Sequence, residues 1–109
     1  MEDAIVRRAI GYIRGNVAAK LHTSDVAAEV GMSTKGLCLR FRKAVGHTVK
    51  EEIRQARIAR LRQLLRETDL PMSRVAAAAG FSDQSKMGLA FREATGRTPT
   101  AYRTQFRVL

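Results

Sequence analysis

"VAAEVGMSTKGLCLRFRKAVGHT" occupies Val26–Thr48, and "VAAAAGFSDQSKMGLAFREATGRT" occupies Val75–Thr98. Val26, Ala27, Ala28, Gly31 and Ser33 return as Val75, Ala76, Ala77, Gly80 and Ser82, 49 positions further on. Past one inserted residue, Phe41, Arg42, Ala44, Gly46 and Thr48 return as Phe91, Arg92, Ala94, Gly96 and Thr98, at an offset of 50. Each copy reads as a short helix, a tight turn holding a glycine, and a second helix opened by serine, which is the anatomy of a helix-turn-helix. Gly31 and Gly80 suit the left-handed residue such a turn needs. The small Ala27, Ala28, Ala76 and Ala77 let the second helix cross the first closely. A hairpin duplicated only for packing is the plainer alternative, but two copies of irregular period are too few for a stacked solenoid.

Charge separates these readings. Twenty Lys and Arg stand against ten Asp and Glu in 109 residues, a net charge of +10, and the pI is about 11.1. Self-repulsion of that size points to an anionic partner: nucleic acid, an acidic membrane surface or an acidic protein. Residues 1–47 carry +4, residues 48–66 another +4, and residues 67–109 carry +2, so both copies and the segment between them are basic. DNA binding by paired helix-turn-helix units is the function this balance favours.

Other classes find little support. The single Cys38 allows no intrachain disulfide, and no signal peptide or membrane-spanning apolar run is visible, which points to a cytoplasmic protein. His22, beside a helix start, and His47, in a turn, are expected at the surface or in caps, and no metal set or cofactor site emerges. No nucleophile is paired with a base, and no glycine loop is built to cradle phosphate, so no enzyme is expected.

The rest of the chain reads as helix throughout, giving an all-α fold of about seven helices. Ile5, Ala9, Ile13 and Val17 are spaced four apart over residues 4–17, as on one helical face. "HTSDVAAEVG" gives a capped helix of about two turns stopped by glycine. A second helix starts near Ser33, buries Leu37, Phe41, Ala44 and Val45, and ends at Gly46. Thr48 and Glu51 form a capping box for a long helix reaching about Glu67. Its early stripe (Val49, Ile53, Ala56) and late stripe (Ile58, Leu61, Leu64, Leu65) do not superpose, so it should dock on different neighbours at its two ends. Pro71 breaks the chain, and helices over Ser73–Ala79 and Asp83–Thr95 follow. Thr98 with Pro99 then opens a last short helix through Tyr102.

Longer strings give a specific resemblance. "VAAAAGFSDQSKMGLAFREATGRTPTAYR", "DVAAEVGMS", "LCLRFRKAVG" and "IRQARIARLRQLL" resemble the two halves of the DNA-binding domain of the AraC/XylS family of bacterial transcription regulators, over about residues 4–104. The resemblance implies a first helix-turn-helix subdomain (1–47), a linker helix (48–67) and a second subdomain (68–109). Each subdomain then offers its second helix to successive major-groove segments of an asymmetric double-stranded DNA site.

The family's base-contacting positions fall on Lys35, Cys38, Leu39, Gln84, Ser85, Gly88 and Leu89. Gln84 is the best candidate for direct readout, since a glutamine amide pairs bidentately with adenine. Lys35 suits a guanine or a phosphate equally. Many relatives place arginine where this chain has Leu39 and Leu89, and an aromatic where it has Met87 beside Lys86. Leucine cannot donate to guanine, though it can touch a thymine methyl, so T/A-rich or shape-assisted recognition is expected. Packing against the adjoining helix is the alternative for both leucines. Phosphates are the expected partners of Arg40, Arg42, Lys43, Lys86 and Arg92, and of the helix amides after Ser33 and Ser82. Arg57 matches a characteristic family arginine, and a bracing bond is its favoured role. The resemblance also implies that any effector-binding domain lies outside this sequence, and it makes RNA polymerase a candidate protein partner. Two rivals stay open: a nonspecific architectural nucleic-acid binder and a helical protein-interaction module.

Overall fold

A computed structural model describes residues 3–108. Among these residues it holds seven helices and no strand: α1 (Ala4–Gly15), α2 (Thr23–Glu29), α3 (Thr34–Val45), α4 (Val49–Glu67), α5 (Met72–Ala78), α6 (Gln84–Thr95) and α7 (Pro99–Phe106). The chain forms two compact units, one up to Ala56 and one from Arg57 onward.

The first unit packs α1, α2, α3 and the start of α4 around Val6, Ala9, Ile13, Val26, Ala27, Leu37, Phe41, Val49 and Ile53. In α1 the buried residues are Val6, Ala9 and Ile13, with Ile5 only half-buried. A spacing of strictly four drifts about 40° per step around a helix of 3.6 residues per turn, so Val6 lines up with Ala9 and Ile13 better than Ile5 does. Asp3 caps α1 by accepting from the amides of Ile5 (3.0 Å) and Val6 (3.1 Å). The turn after α2 passes through Gly31 at φ 73°. There the Met32 amide donates to the Ala27 carbonyl at 2.9 Å.

The carboxyl side chain of Glu52 is buried, and its Oε1 lies 2.7 Å from His47 Nε2. The His47 ring in turn meets Phe41 edge-on at 5.9 Å. His47 thus stays partly exposed in its turn while bridging Glu52 and the Phe41 ring.

The second unit gathers the end of α4 with α5 and α6 around Ile58, Leu61, Leu64, Leu65, Val75, Ala76, Ala79, Met87 and Phe91, and Tyr102 of α7 leans on this core. The two stripes of α4 thus enter different cores, as their mismatch requires. Gly80 (φ 90°) repeats the turn of Gly31, and the Phe81 amide donates to the Ala76 carbonyl at 2.9 Å.

Several boundaries differ from the sequence reading: α1 stops at Gly15 and not near Val17, and α5 is Met72–Ala78 and not Ser73–Ala79. α6 is capped by Asp83, not opened by serine, because the inserted residue moves the cap position one step past Ser82. α7 runs on through Phe106 instead of stopping near Tyr102. Nothing after Tyr102 breaks a helix, and Arg103 anchors this turn by donating to the carbonyls of Leu65 (3.2 Å) and Leu70 (2.8 Å). Tyr102 also packs between Phe91, edge-on at 5.2 Å, and Phe106 at 4.6 Å.

Candidate nucleic-acid interface

The buried side of α3 is set by Leu37 and Phe41, both fully excluded from solvent. At 100° per residue the opposite side carries positions 35, 39 and 42, with 38 on its flank. Lys35, Cys38, Leu39 and Arg42 are all exposed there, with Lys43 beside them. Ser33 opens the helix, its Oγ accepting from the Gly36 amide at 3.0 Å. Gly36 leaves room for that hydroxyl, since a Cβ built on it would stand 2.9 Å from Ser33 Oγ.

α6 follows the same plan. Met87 and Phe91 are buried, while Gln84, Ser85, Lys86, Leu89 and Arg92 are exposed and Gly88 is half-buried. A Cβ on Gly88 would meet nothing within 4 Å, so this position offers bare backbone to an approaching surface. Leu39 and Leu89 are each 67% exposed and belong to neither core. Most of each side chain is therefore left uncovered by the rest of its unit.

At an offset of 50 the two exposed stripes pair Lys35 with Ser85, Cys38 with Gly88, Leu39 with Leu89, and Arg42 with Arg92. Thr34 occupies the position of Gln84, and Ser33 that of Asp83. This last pairing was hidden in the sequence, where Ser82 was the apparent partner of Ser33. The change of offset from 49 to 50 was the signal for it. Asp83 Oδ1 accepts from the Lys86 amide at 2.8 Å, placing a carboxylate at the end of α6 where α3 has a neutral hydroxyl. Ser82 is exposed just outside that cap.

Arg40 lies apart from the outward stripe. Its Nε donates to Asp3 Oδ2 at 2.7 Å, joining α3 to the cap of α1. That hydrogen bond, helped by the amide of Val6, holds the Asp3 carboxyl below its ordinary pKa. Arg57, on α4, is half-buried, and desolvation lowers its pKa from the usual guanidinium value. Beside the α3 stripe an open, mainly apolar hollow of about 480 Å³ is lined by Cys38, Leu39, Arg42, Lys43, Thr48 and Val49. Among the described residues no His, Cys, Asp and Glu cluster could hold a metal, and no helix is long and apolar enough to cross a membrane.

Chemically, each stripe combines cations that attract phosphate with short polar and apolar side chains that fit a groove. Residues 26–105 match a family model described as a helix-turn-helix domain. The Msm operon regulatory protein of Streptococcus mutans is 28% identical over 104 residues, covering 95% of this chain and 37% of its own length. The chain therefore spans little more than a third of that curated relative. The C-terminal domain of AraT, a response regulator from Geobacillus stearothermophilus, superposes with a TM-score of 0.92 at 27% identity, covering 98% of this chain and 89% of that one. The DNA-binding domain of the transcriptional factor AdpA, solved in complex with a target DNA, has the same fold, with a TM-score of 0.88 at 22% identity over 95% of this chain and 94% of that one. Together with the paired turns and the outward stripes of α3 and α6, these matches place the chain in the AraC-type helix-turn-helix family of bacterial transcription regulators.

Proposed function

We propose that this chain is the sequence-specific DNA-binding part of a bacterial transcription regulator, acting in the cytoplasm on an asymmetric duplex site. One observation carries the reading: two second helices of helix-turn-helix units, each anchored by a buried pair (Leu37 and Phe41; Met87 and Phe91), present unlike polar stripes outward on a strongly basic chain. Lys35, Cys38, Gln84, Ser85 and Gly88 face base edges in this reading, with the leucines beside them, and α3 and α6 enter successive major-groove segments. Arg42, Lys43, Lys86 and Arg92 take phosphates, with the N-terminal amides of α3. Arg40 contributes less to DNA, because Asp3 already holds it. RNA polymerase is the protein partner this reading supplies.

Selection of bound sequences from a random duplex pool, followed by comparison of the winner with random DNA at fixed salt, tests it. Preference for the selected duplex is expected, whereas equal affinities would favour a nonspecific architectural binder. Within that assay, Gln84→Ala costs about 1–3 kcal/mol and relaxes the preference at one base pair. Arg42→Ala weakens all sequences alike and flattens the salt slope.

A further inference from the structure

The two stripes agree at an apolar position. Leu39 and Leu89 occupy the same register of α3 and α6, each is 67% exposed, and neither is counted among the residues of a core. The other large exposed apolar residues among those described are Phe106 and Val108, near the chain's end. Of these, Phe106 already packs on Tyr102 and under the Arg97 guanidinium, 5.4 Å from its ring. The leucines are therefore left mostly uncovered, amid Lys35, Arg42 and Arg92 on surfaces whose charge suits DNA.

We propose that Leu39 and Leu89 are a matched pair of thymine readers, each closing on the C5-methyl group of one thymine in its own half-site. The inference rests on the DNA-binding reading above and names what that surface recognises. A leucine has no donor or acceptor, so against a guanine, an adenine or a cytosine amine it would strand polar groups without partners. Of the four base pairs, only those with thymine present an apolar group in the major groove. The neighbouring positions differ between the helices (Lys35 and Cys38 against Ser85 and Gly88). The two half-sites accordingly have one thymine in common at equivalent register and diverge around it. Beside Leu39, the apolar hollow with Cys38 and Val49 extends the surface a methyl would meet.

The test starts from the duplex selected with the whole chain and replaces each thymine singly by deoxyuridine, which pairs identically and lacks only the methyl. One replacement in each half-site lowers affinity about fourfold, the equivalent of one buried methyl-sized group. Leu39→Ala becomes indifferent to the replacement in one half-site, and Leu89→Ala to that in the other, with unchanged circular dichroism. Leu39→Arg moves the preference at its base pair from thymine to guanine, because a guanidinium pairs bidentately with guanine O6 and N7. Indifference of the unaltered chain to every uracil, on a duplex it binds tightly and selectively, overturns the leucine assignment and leaves sequence-specific binding standing. Failure to select any preferred duplex overturns both.

Discussion

Gly31 and Gly80 turn the chain alike, and the amides of Met32 and Phe81 close the two turns onto the carbonyls of Ala27 and Ala76 at the same 2.9 Å. A few residues later the units part: Ser33 caps α3 with a hydroxyl and Asp83 caps α6 with a carboxylate. Further on, His47 and buried Glu52 occupy the positions that Arg97 and Tyr102 hold in the second unit. Phe41 consequently meets an imidazole edge-on, and Phe91 meets a phenol. What closes the turn and fills the centre has been kept, whereas caps, edges and outward stripes have diverged. A duplicated unit can acquire a second specificity this way without a second fold.

The strongest way to probe this comparison is at its most constant point. Phe41→Ala and Phe91→Ala should each cost about 3–5 kcal/mol in urea unfolding, as expected for emptying a packed aromatic site. The Phe91 variant should lie at the upper end, since the rings of Tyr102 and Phe106 are stacked behind it. A loss below about 1 kcal/mol in either would mean that unit's core is not organised around its phenylalanine.

The caps are a finer probe. Ser33→Ala and Asp83→Ala should each destabilise by about 1 kcal/mol. Asp83→Asn separates cap from charge: stability should hold within a few tenths of a kcal/mol, because asparagine caps equally well. DNA affinity at low salt should meanwhile rise about two- to fivefold as the anion at the end of α6 is removed. An unchanged affinity would show that the two helix ends are electrostatically equivalent towards DNA.

The smallest effect concerns acid. Asp3 has its folded pKa depressed below the ordinary 3.8 by Arg40. Its contribution is therefore complete above that value and fades as pH falls through the lower folded one. The position of Arg40 is filled by Ala90 in the second unit, which cannot form such a pair. Asp3→Asn should flatten the acid limb of an unfolding titration below about pH 4. An unaltered limb would assign the acid sensitivity to other carboxylates.

Features written in neighbouring residues were legible in the sequence. The glycine turns, the Thr48 and Thr98 caps, the buried Leu37–Phe41 and Met87–Phe91 pairs, and the split loyalties of α4 all follow from local spacing. Those that depend on partners distant in sequence were not. The pairing of Arg40 with Asp3, 37 residues away, is invisible to periodicity. Arg103 fastens carbonyls 33 and 38 residues earlier, and so carries α7 past Tyr102. Val6 displaced Ile5 from α1's stripe through the accumulated drift of a four-residue spacing. At the interface, the pattern of outward residues was readable from helix geometry, but how far Leu39 and Leu89 are left uncovered needed coordinates.

The border between the units falls inside α4, between Ala56 and Arg57, where the helix runs on unbroken. Anyone grafting one half onto a relative must therefore splice through an unbroken ladder of backbone hydrogen bonds. Junctions have to preserve helical phase, residue for residue, across that seam. A fragment cut at the border would keep the α4 stripe that its own core needs, but its share of the helix would end on backbone groups whose partners lie across the cut, so that end should fray.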